Sequence, residues 1–442
     1  MGKEVNEVKE GYKETEIGVL PEDWEVVRLG KVFEEVDRRV NNVKNAASLP
    51  VLSLTKNNGI IPQTERFKKR IATDDLSNYK VVYKKELVYN PYVIWEGAIH
   101  ILNRLEAGLV SPVYPVLSVN KKVADAYFFD FWLRTPSAIK AYSRYASGAV
   151  NRRRAIRKTD FKNIDAPLPP LHEQRKIAYV LSTIQRAIQL QDKVIAATRE
   201  LKKSLMRHLF TYGPVPVDQI DRVPLKETEI GMVPEHWEVV RLREVADFTK
   251  KPRGLNYSGN IPFIPMELIP IGRVNIQKYI IKPSSEISSG VYCEQGDLLL
   301  AKITPSFENY KQGIISQIPK PFAFATTEVY PIKARKDFLE ILYLFYYLLI
   351  PQVRQDIAGK MEGTTGRQRI SKSVIQNYLI PIPPLSEQRQ IARFLITVDK
   401  KIEAEEYRKS TLQSLFQTML HLLMTGKVRV KDLEVKEDAL RQ

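Results

Sequence analysis

The sequence predicts an α+β protein made of two similar globules, each followed by one long coiled-coil helix. Three observations support this prediction. The chain of 442 residues repeats itself at domain scale, and a heptad pattern of apolar residues follows a repeated turn in each half. The third is the composition, 44% hydrophobic and 27% charged, which is typical of a folded soluble chain rather than a disordered one.

The repeat consists of two pairs of matching segments. Residues 13–29 and 226–242 are identical at 14 of 17 positions, and residues 169–178 and 383–392 are identical at 8 of 10. The offsets, 213 and 214 residues, are too long for the unit of a solenoid. Each repeat is therefore domain-sized, and near-identical frames enclose different inserts.

The inserts predict mixed secondary structure. Short apolar runs that are rich in β-branched or aromatic residues predict strands at 49–54, 80–90, 296–303 and 328–334. Longer apolar segments at 126–146 and 338–358 predict helices, which are broken at Pro136 and Pro351 respectively.

A long helix is predicted after the Pro-Pro-Leu turn of each half. Gly213 and Gly426 supply the stops, so each helix has about 40 residues and a length of about 60 Å. The apolar seams are Ile177, Leu181, Ile184, Ile188, Ile195, Leu201 and Leu205 in the first helix, and Ile391, Leu395, Val398, Ile402, Leu412, Phe416, Met419 and Leu423 in the second. Glu405 is a polar position of the second seam. Each seam either pairs with the other helix, which the heptads favour, or packs on its own globule.

The charge balance predicts a polyanionic partner. Lys plus Arg number 68 against 51 for Asp plus Glu, a net charge of +17, so nucleic acid is the leading partner. No membrane span is expected, because the longest apolar run, 338–350, is too short and contains Glu340. The single cysteine, Cys293, and the polar N-terminus predict a cytoplasmic protein without a disulfide.

Basic and amide side chains lie in loop-like segments where they could contact DNA. Arginine can fork onto phosphate or guanine, and asparagine can pair with adenine. The candidates before the long helices are Arg152, Arg153, Arg154, Arg157 and Lys158 in the first half and Arg367, Arg369 and Lys372 in the second. Those in other loop-like segments are Lys56, Asn57, Asn58, Lys68 and Lys69 in the first half and Lys250, Lys251, Arg253, Asn309 and Lys311 in the second. The alternative for each is a solvated surface or an ordinary turn.

No catalytic constellation is predicted. Asn90-Pro91-Tyr92 is similar to the Asn/Asp-Pro-Pro-Tyr loop of amino-methyltransferases but lacks the second proline, and a strand-end turn explains it better. The chain contains no Gly-x-Gly triplet and no Walker-type phosphate loop, and its five histidines are scattered. The sequence therefore predicts no catalytic residue, no cofactor and no metal site.

The doubled Pro-Pro-Leu-x-Glu-Gln-Arg turn after a variable globule, together with the Glu-Ile-Gly…Pro…Trp opening, resembles the DNA-specificity subunit of type I restriction-modification systems. The resemblance extends from about Lys13 to Gly426. It implies two target-recognition domains separated by two antiparallel helices, with each domain reading one half of a split site in double-stranded DNA. It also implies a non-catalytic subunit that binds two methylation subunits and works with restriction/motor subunits. Two alternatives stay open: an enzyme acting alone on DNA, and a coiled-coil adaptor that binds only protein.

The resemblance also suggests a domain map and a partner-binding turn. The expected segments are recognition domain 1 (13–168), spacer helix 1 (169–213), a linker (214–225), recognition domain 2 (226–382), spacer helix 2 (383–426) and a C-terminal tail (427–442). The candidate partner-binding residues are Glu173, Gln174, Arg175, Glu387, Gln388 and Arg389. They belong to the frame, as expected if the same partner docks on both halves, and their acidic members suit a first helical turn.

Overall fold

The computed structural model describes residues 10–56, 59–67, 75–145, 155–364 and 366–435. These residues form two compact units. Unit 1 contains the described residues up to Gln191 together with those from Lys409 onward, and unit 2 is Asp192–Arg408. Each long helix therefore contributes one part to each unit.

Unit 1 is a mixed α/β globule. Its strands are β1 (Tyr12–Thr15), β2 (Gly18–Pro21), β3 (Glu25–Arg28), β4 (Phe33–Glu35), β5 (Leu52–Leu54), β6 (Ile60–Pro62), β7 (Lys80–Tyr83), β8 (Leu87–Tyr89), β9 (Ile99–Ile101), β10 (Ala107–Val110), β11 (Val116–Val119) and β12 (Asp165–Leu168). Its helices are α1 (Leu29–Val32), α2 (Gln63–Arg66), α3 (Ala126–Trp132), α4 (Pro136–Tyr145), α5 (Lys158–Lys162) and the first part of α6 (Leu171–Tyr212). The largest sheet is antiparallel, in the order β4-β11-β8-β9.

Unit 2 repeats the frame around a different insert of nearly the same length. Its strands are β13 (Leu225–Thr228), β14 (Gly231–Pro234), β15 (Glu238–Arg241), β16 (Ala246–Phe248), β17 (Asn260–Ile264), β18 (Asn275–Ile276), β19 (Ile280–Pro283), β20 (Val291–Glu294), β21 (Leu298–Ala301), β22 (Gln312–Ile315), β23 (Phe322–Ala325), β24 (Val329–Ala334) and β25 (Leu379–Ile382). Its helices are α7 (Leu242–Val245), α8 (Ile341–Tyr347), α9 (Pro351–Ala358), α10 (Lys372–Gln376) and part of α11 (Leu385–Met424). The sheets have the orders β16-β24-β21-β22-β18 and β19-β17-β23-β20.

The repeated frame adopts the same structure in both units. β3 pairs antiparallel with β12, placing Arg28 opposite Asp165, and β15 pairs with β25, placing Arg241 opposite Leu379. The tryptophan that precedes each strand is fully buried in its own core. The frame is thus a two-stranded clamp that holds the insert at the base of the long helix.

The two long helices run antiparallel. In unit 1, Ile177 near the start of α6 shares a core with Leu423 at the end of α11. In unit 2, Leu209 at the end of α6 shares a core with Ile391 at the start of α11. The ammonium of Lys202 lies 2.5 Å from Asp399, which links the two helices within unit 2. The predicted α+β fold with two antiparallel helices is confirmed.

The stops of the long helices are as predicted, but their seam differs at one position. Gly213 and Gly426 follow α6 and α11 with φ of 82° and 66°, the left-handed conformation that glycine adopts without strain. Leu201, expected in the seam, is 58% exposed. A straight helix of 3.6 residues per turn drifts away from a 3.5-residue repeat, and this drift moves Leu201 off the contact face. Glu405, by contrast, is 3% exposed and pairs with Lys401 and Arg408.

The single strand expected at 80–90 is wrong. The structure has two strands, β7 and β8, that belong to different sheets. Lys85 turns the chain between them in a left-handed conformation, φ 68°, and its N–H donates to the carbonyl of Leu102. The carboxylate of Glu86 accepts the N–H of Tyr83 at 2.8 Å, which closes the turn. The polar Lys-Lys-Glu triplet therefore ends one strand and begins the next.

Within the described ranges, no helix combines the length and the apolar character needed to cross a bilayer.

Candidate nucleic-acid interface

The basic segment before α10 in unit 2 contains two exposed arginines and a half-buried lysine, and two of these three cations have partners within the unit. Arg369 forms a two-pronged ion pair with Glu328, with both N···O distances 2.9 Å, and it holds the pKa of Glu328 below its usual value. The ammonium of Lys372 lies 4.7 Å from the centre of the Phe248 ring. Arg367 is exposed, and no ion pair involving it occurs within the described ranges. Of the three predicted residues, Arg367 is the one left available for a ligand.

The equivalent segment of unit 1 follows the same pattern where it is described. Lys158 is the first residue of α5, as Lys372 is of α10. Lys158 forms an ion pair with Glu35, the last residue of β4, and Phe248 is the equivalent last residue of β16. Arg157 is exposed. Arg152, Arg153 and Arg154 lie outside the described residues. Both opening lysines thus tie their helix to the same strand of their own unit.

In unit 2 the structure brings the basic segment and a predicted loop together. The N–H and hydroxyl of Thr304 both donate to the carbonyl of Gln368, at 3.0 and 3.1 Å, and the N–H of Ile370 donates to the carbonyl of Lys302 at 2.9 Å. Residues 302–311, which follow β21, therefore form one surface with residues 367–370. In unit 1 the N–H of Ile156 donates to the carbonyl of Pro91 at 3.1 Å, so the turn after β8 has the same neighbour.

The two predicted DNA contacts in the loop of unit 2 differ in availability. Asn309 is exposed, and its N–H donates to the carbonyl of Pro305 at 3.0 Å, which leaves its side-chain amide at the surface. The ammonium of Lys311 donates to the carbonyl of Met266 at 2.7 Å and so holds the base of the loop. The Asn309 side chain is thus available to a ligand, whereas Lys311 supports the loop.

The basic run after β16 is exposed. Lys250 and Arg253 project from the surface, and the ammonium of Lys251 lies 4.6 Å from the centre of the Tyr257 ring. An ammonium stacked on an aromatic ring keeps its charge, so all three residues contribute to the positive surface of unit 2.

In unit 1, Lys56 lies at the start of a loop held by a buried polar network. Lys56 is exposed, but its carbonyl lies 3.3 Å from Nε2 of His100, which is 2% exposed. Arg134 donates to Nδ1 of His100 at 3.0 Å and to Asp130 at 2.7 Å. Since arginine only donates, Nδ1 must accept and the imidazole proton must be on Nε2, directed at Lys56. Burial lowers the pKa of His100 to about 4, so the ring is neutral.

Four further candidates of the first insert cannot be placed, since Asn57, Asn58, Lys68 and Lys69 lie outside the described residues.

The Glu-Gln-Arg turn of unit 1 is mostly internal. Glu173 is fully buried; it accepts the indole N–H of Trp24 at 3.1 Å and two N–H groups of Arg429 at 2.8 and 2.7 Å. Gln174 is also fully buried, and its amide binds backbone groups of Val123, Asp125 and Pro169. Arg175 is exposed.

Unit 2 repeats this turn with one change. Glu387 accepts the indole N–H of Trp237 at 3.1 Å, but its second partner is His236 at 2.8 Å rather than an arginine. Gln388 is buried and binds three backbone groups, as Gln174 does. Arg389 is exposed, 3.9 Å from Glu340. In both units the glutamate and glutamine position the turn, and the arginine faces outward.

The sequence model of the family described as the type I restriction modification DNA specificity domain matches residues 21–198 and 234–414. The chain belongs to this family.

Two relatives from one organism match this chain along nearly its whole length. The type I restriction enzyme MjaVIII specificity subunit of Methanocaldococcus jannaschii is 28% identical over 441 residues, covering 96% of this chain and 97% of the relative. The putative MjaX specificity subunit of the same organism is 27% identical over 448 residues, covering 96% and 98%. Among solved structures, the type I S subunit from M. genitalium matches 90% of this chain and 96% of its own, with a TM-score of 0.56 and 14% identity. That structure shares the fold.

Membership in the specificity family confirms the predicted class of protein, a DNA-recognition component rather than an enzyme. Asn90, the one residue with a resemblance to a methyltransferase loop, accepts the N–H of Tyr92 on its side chain at 3.0 Å, which is the geometry of a strand-end turn. Among the described residues, no three His, Cys, Asp or Glu side chains are grouped as a metal site would require.

Three polar side chains with internal partners were missed by sequence reasoning: His100, Arg354 and Arg429. Each is a polar residue with partners far away in the chain, and none lies in a motif. The sequence gives one weak signal. Arg354 lies in an apolar helical segment and Arg134, the partner of His100, follows another, and a charge in such a place needs a specific partner.

Proposed function

We propose that the chain binds double-stranded DNA at a split site, with each unit reading one half, and directs methylation subunits to that site. Two methylation subunits would bind, one for each copy of the frame, and restriction/motor subunits would join them to cleave DNA. Membership in the specificity family and the net charge of +17 support this proposal. We further propose that the chain works in the cytoplasm, where DNA is present and where a cysteine such as the buried Cys293 stays a reduced thiol.

The observation that carries the proposal is one frame holding two different inserts. The clamp β3–β12 has the same register as β15–β25, whereas the enclosed sheets differ in strand number and order. A frame that is kept constant while its insert changes is suited to a common partner and two different ligands. Two half-sites of unlike sequence are the ligands that fit this arrangement.

The DNA contacts of this proposal come from exposed cations and amides whose side chains have no ion pair or ring contact among the described residues. They are Lys56, Arg157, Lys250, Arg253, Asn309 and Arg367. Arg152, Arg153, Arg154, Asn57, Asn58, Lys68 and Lys69 stay part of the proposal on the sequence alone. Lys158, Lys251, Lys311, Arg369 and Lys372 also keep their charge, and we assign them to phosphate attraction and loop support rather than base reading.

Partner binding is proposed for the outward face of the Glu-Gln-Arg turns. Arg175 and Arg389 are its exposed members, and the buried Glu and Gln hold them in the same orientation in both units. We propose that recognition resides in residues 13–168 and 226–382 and partner docking in the helical segments 169–213 and 383–426, with 214–225 as linker and 427–442 as tail.

The experiment is an exchange of inserts. The chain is co-expressed with its methylation partners, and methylated positions are mapped across the host genome. Replacing residues 41–156 with the insert of a related subunit is expected to change one half-site only, and replacing residues 254–370, the matched control, is expected to change the other. A change in both half-sites after either exchange would refute modular reading. Methyl transfer by the chain without partners would instead support an enzyme acting alone.

A further inference from the structure

Arg354 of α9 is a buried cation with an incomplete set of partners. It is 2% exposed, and within the described ranges no carboxylate lies close enough to form an ion pair with it. One N–H donates to the side-chain carbonyl of Gln312, while Nε and Nη1 have no hydrogen-bond partner there. Burial lowers the pKa of Arg354 to about 9, so it remains charged at neutral pH. Apolar residues often replace buried ions without loss of stability, so the burial of this arginine is weak evidence for a purely stabilising role.

Within the described ranges, the hydrogen bond and the ring contacts of the Arg354 guanidinium are all made with the loop 302–311 or with Gln312, which follows it. The carboxylate of Glu308, in the same loop, lies close enough to act on the guanidinium electrostatically. The guanidinium carbon lies 4.2 Å from the centre of the Phe307 ring and 5.2 Å from that of Tyr310. Gln312, which opens β22, donates its amide N–H to the carbonyl of Phe345 at 2.8 Å. That bond orients the glutamine so that its oxygen faces Arg354. The guanidinium thus packs beneath the loop, and we call it the floor of the loop.

The loop needs such a floor because its backbone is unusual. Tyr310 adopts a left-handed conformation with φ of 59°. This conformation costs free energy for a non-glycine residue and persists only where surrounding contacts hold it. Stacking on Arg354 holds the Tyr310 and Phe307 rings on the inner side of the loop, while Asn309, between them, is exposed. The same loop is bonded through Thr304 to the segment that carries Arg367.

We propose that Arg354 is a positioning residue for DNA reading by unit 2, setting the loop conformation that presents Asn309 to a base edge. This inference deepens the proposed function and rests on it. The ligand of the loop is a base pair of the half-site read by unit 2, and the contact of the loop with DNA is made by Asn309 and not by Arg354 itself.

The test measures discrimination at each half-site separately. The complex with methylation subunits is assayed for binding to its own site and to two altered sites, each with one half-site mutated. The ratio of affinities is the readout, because it does not depend on the fraction of active protein and a general loss of stability leaves it unchanged. Arg354→Met is expected to lower the ratio for the half-site of unit 2 by about tenfold or more, the worth of one good base contact. The ratio for the half-site of unit 1 should stay within about twofold, as expected for separate sites.

Two further variants and a control complete the test. Phe307→Leu keeps the buried apolar volume but removes the ring platform, so it should reproduce the unit 2 loss, and Asn309→Ala should reproduce it without touching the floor. Lys360→Met removes an equal charge just after α9, where the lysine pairs with Asp356 at the surface, and should leave both ratios unchanged. Unchanged unit 2 discrimination in Arg354→Met or Phe307→Leu would overturn the inference, as would an equal loss at both half-sites. A wild-type complex without discrimination at either half-site would instead overturn the proposed function.

Discussion

Replacing Arg429 with methionine is expected to destabilise unit 1 strongly. Arg429, in the tail after α11, provides two hydrogen bonds to the fully buried Glu173 and one, 2.6 Å long, to Asp23. These contacts raise the pKa of Arg429, so its guanidinium stays charged at any pH at which the protein folds. Methionine fills similar space but leaves the carboxylate of Glu173 buried with the indole of Trp24 as its one remaining partner described above.

The magnitude follows from the burial of Glu173. Breaking one side of a buried ion pair costs about 3–5 kcal/mol, because the remaining charge is stranded away from water. The Arg429 side chain is 21% exposed, so water can enter its place and the lower end of that range applies. A loss of about 3 kcal/mol lowers the melting temperature of a domain of this size by about 6–12 °C.

The assay is calorimetric unfolding of the full chain, with hydrogen exchange used to assign each transition to a unit. Adding Glu173→Gln to Arg429→Met should recover about half of the loss, since a neutral amide costs less to bury than a charge. The matched control is His236→Met in unit 2, where the histidine that pairs with Glu387 is half exposed and the pair should contribute about 1 kcal/mol at most.

A melting temperature within about 2 °C of the wild type for Arg429→Met would refute the reasoning, because an unpaired buried carboxylate should cost more free energy than that. Failure of Glu173→Gln to recover any stability would locate the cost elsewhere, in lost packing of the tail rather than in charge.

Two further outcomes are expected, one for acid stability and one for DNA affinity. The pKa of His100 is about 4 in the folded chain against 6.5 unfolded, so the unfolded state binds more protons between these values and unit 1 loses stability as pH falls. Between pH 7 and pH 5 this loss is about 2 kcal/mol. His100→Gln, which can still bridge Arg134 and Lys56, should reduce the loss, as measured by urea titration at each pH. An equal dependence of the unfolding free energy on pH in the variant and the wild type would contradict the assignment. Arg367→Ala should flatten the logarithmic salt dependence of DNA binding by about 0.9, whereas Lys372→Met, whose ammonium lies over the Phe248 ring, should change it less. The reverse order would show that exposure does not decide which cation meets phosphate.

Local sequence predicted the repeated parts well because the same short segments meet the same neighbours in both halves. The Glu-Val-Val-Arg strands pair in one register in each unit, and the helices end at the two glycines, since both features depend on residues close together or on the duplicated frame. The strand expected at 80–90 was wrong for the opposite reason. A β-branched run is equally compatible with one long strand and with two short ones, and the partners of β7 and β8, which lie in different sheets, decide between them.

The cations of the candidate DNA surface could be predicted from the sequence, but not which of them have partners within their own unit. The sequence marks Lys158, Arg367 and Lys372 alike, whereas the structure shows two of them engaged within their own unit. Glu35 and Phe248 occupy the same place in the two frames, yet one forms an ion pair and the other a cation–π contact. A charge pattern records which groups exist, and their partners depend on which strand packs next to the helix.

By itself, the sequence determined the duplication, the two long helices, the basic character of the chain and its family, because these are written in composition, in short-range periodicity and in motifs. Only the tertiary structure decided which charges are buried and what they hold. Glu173 and Arg429 are 256 positions apart, and Arg354 supports a loop more than 40 residues before it. Such contacts form when distant segments exclude water from one another, and the cost of an unpaired buried charge then selects the partner.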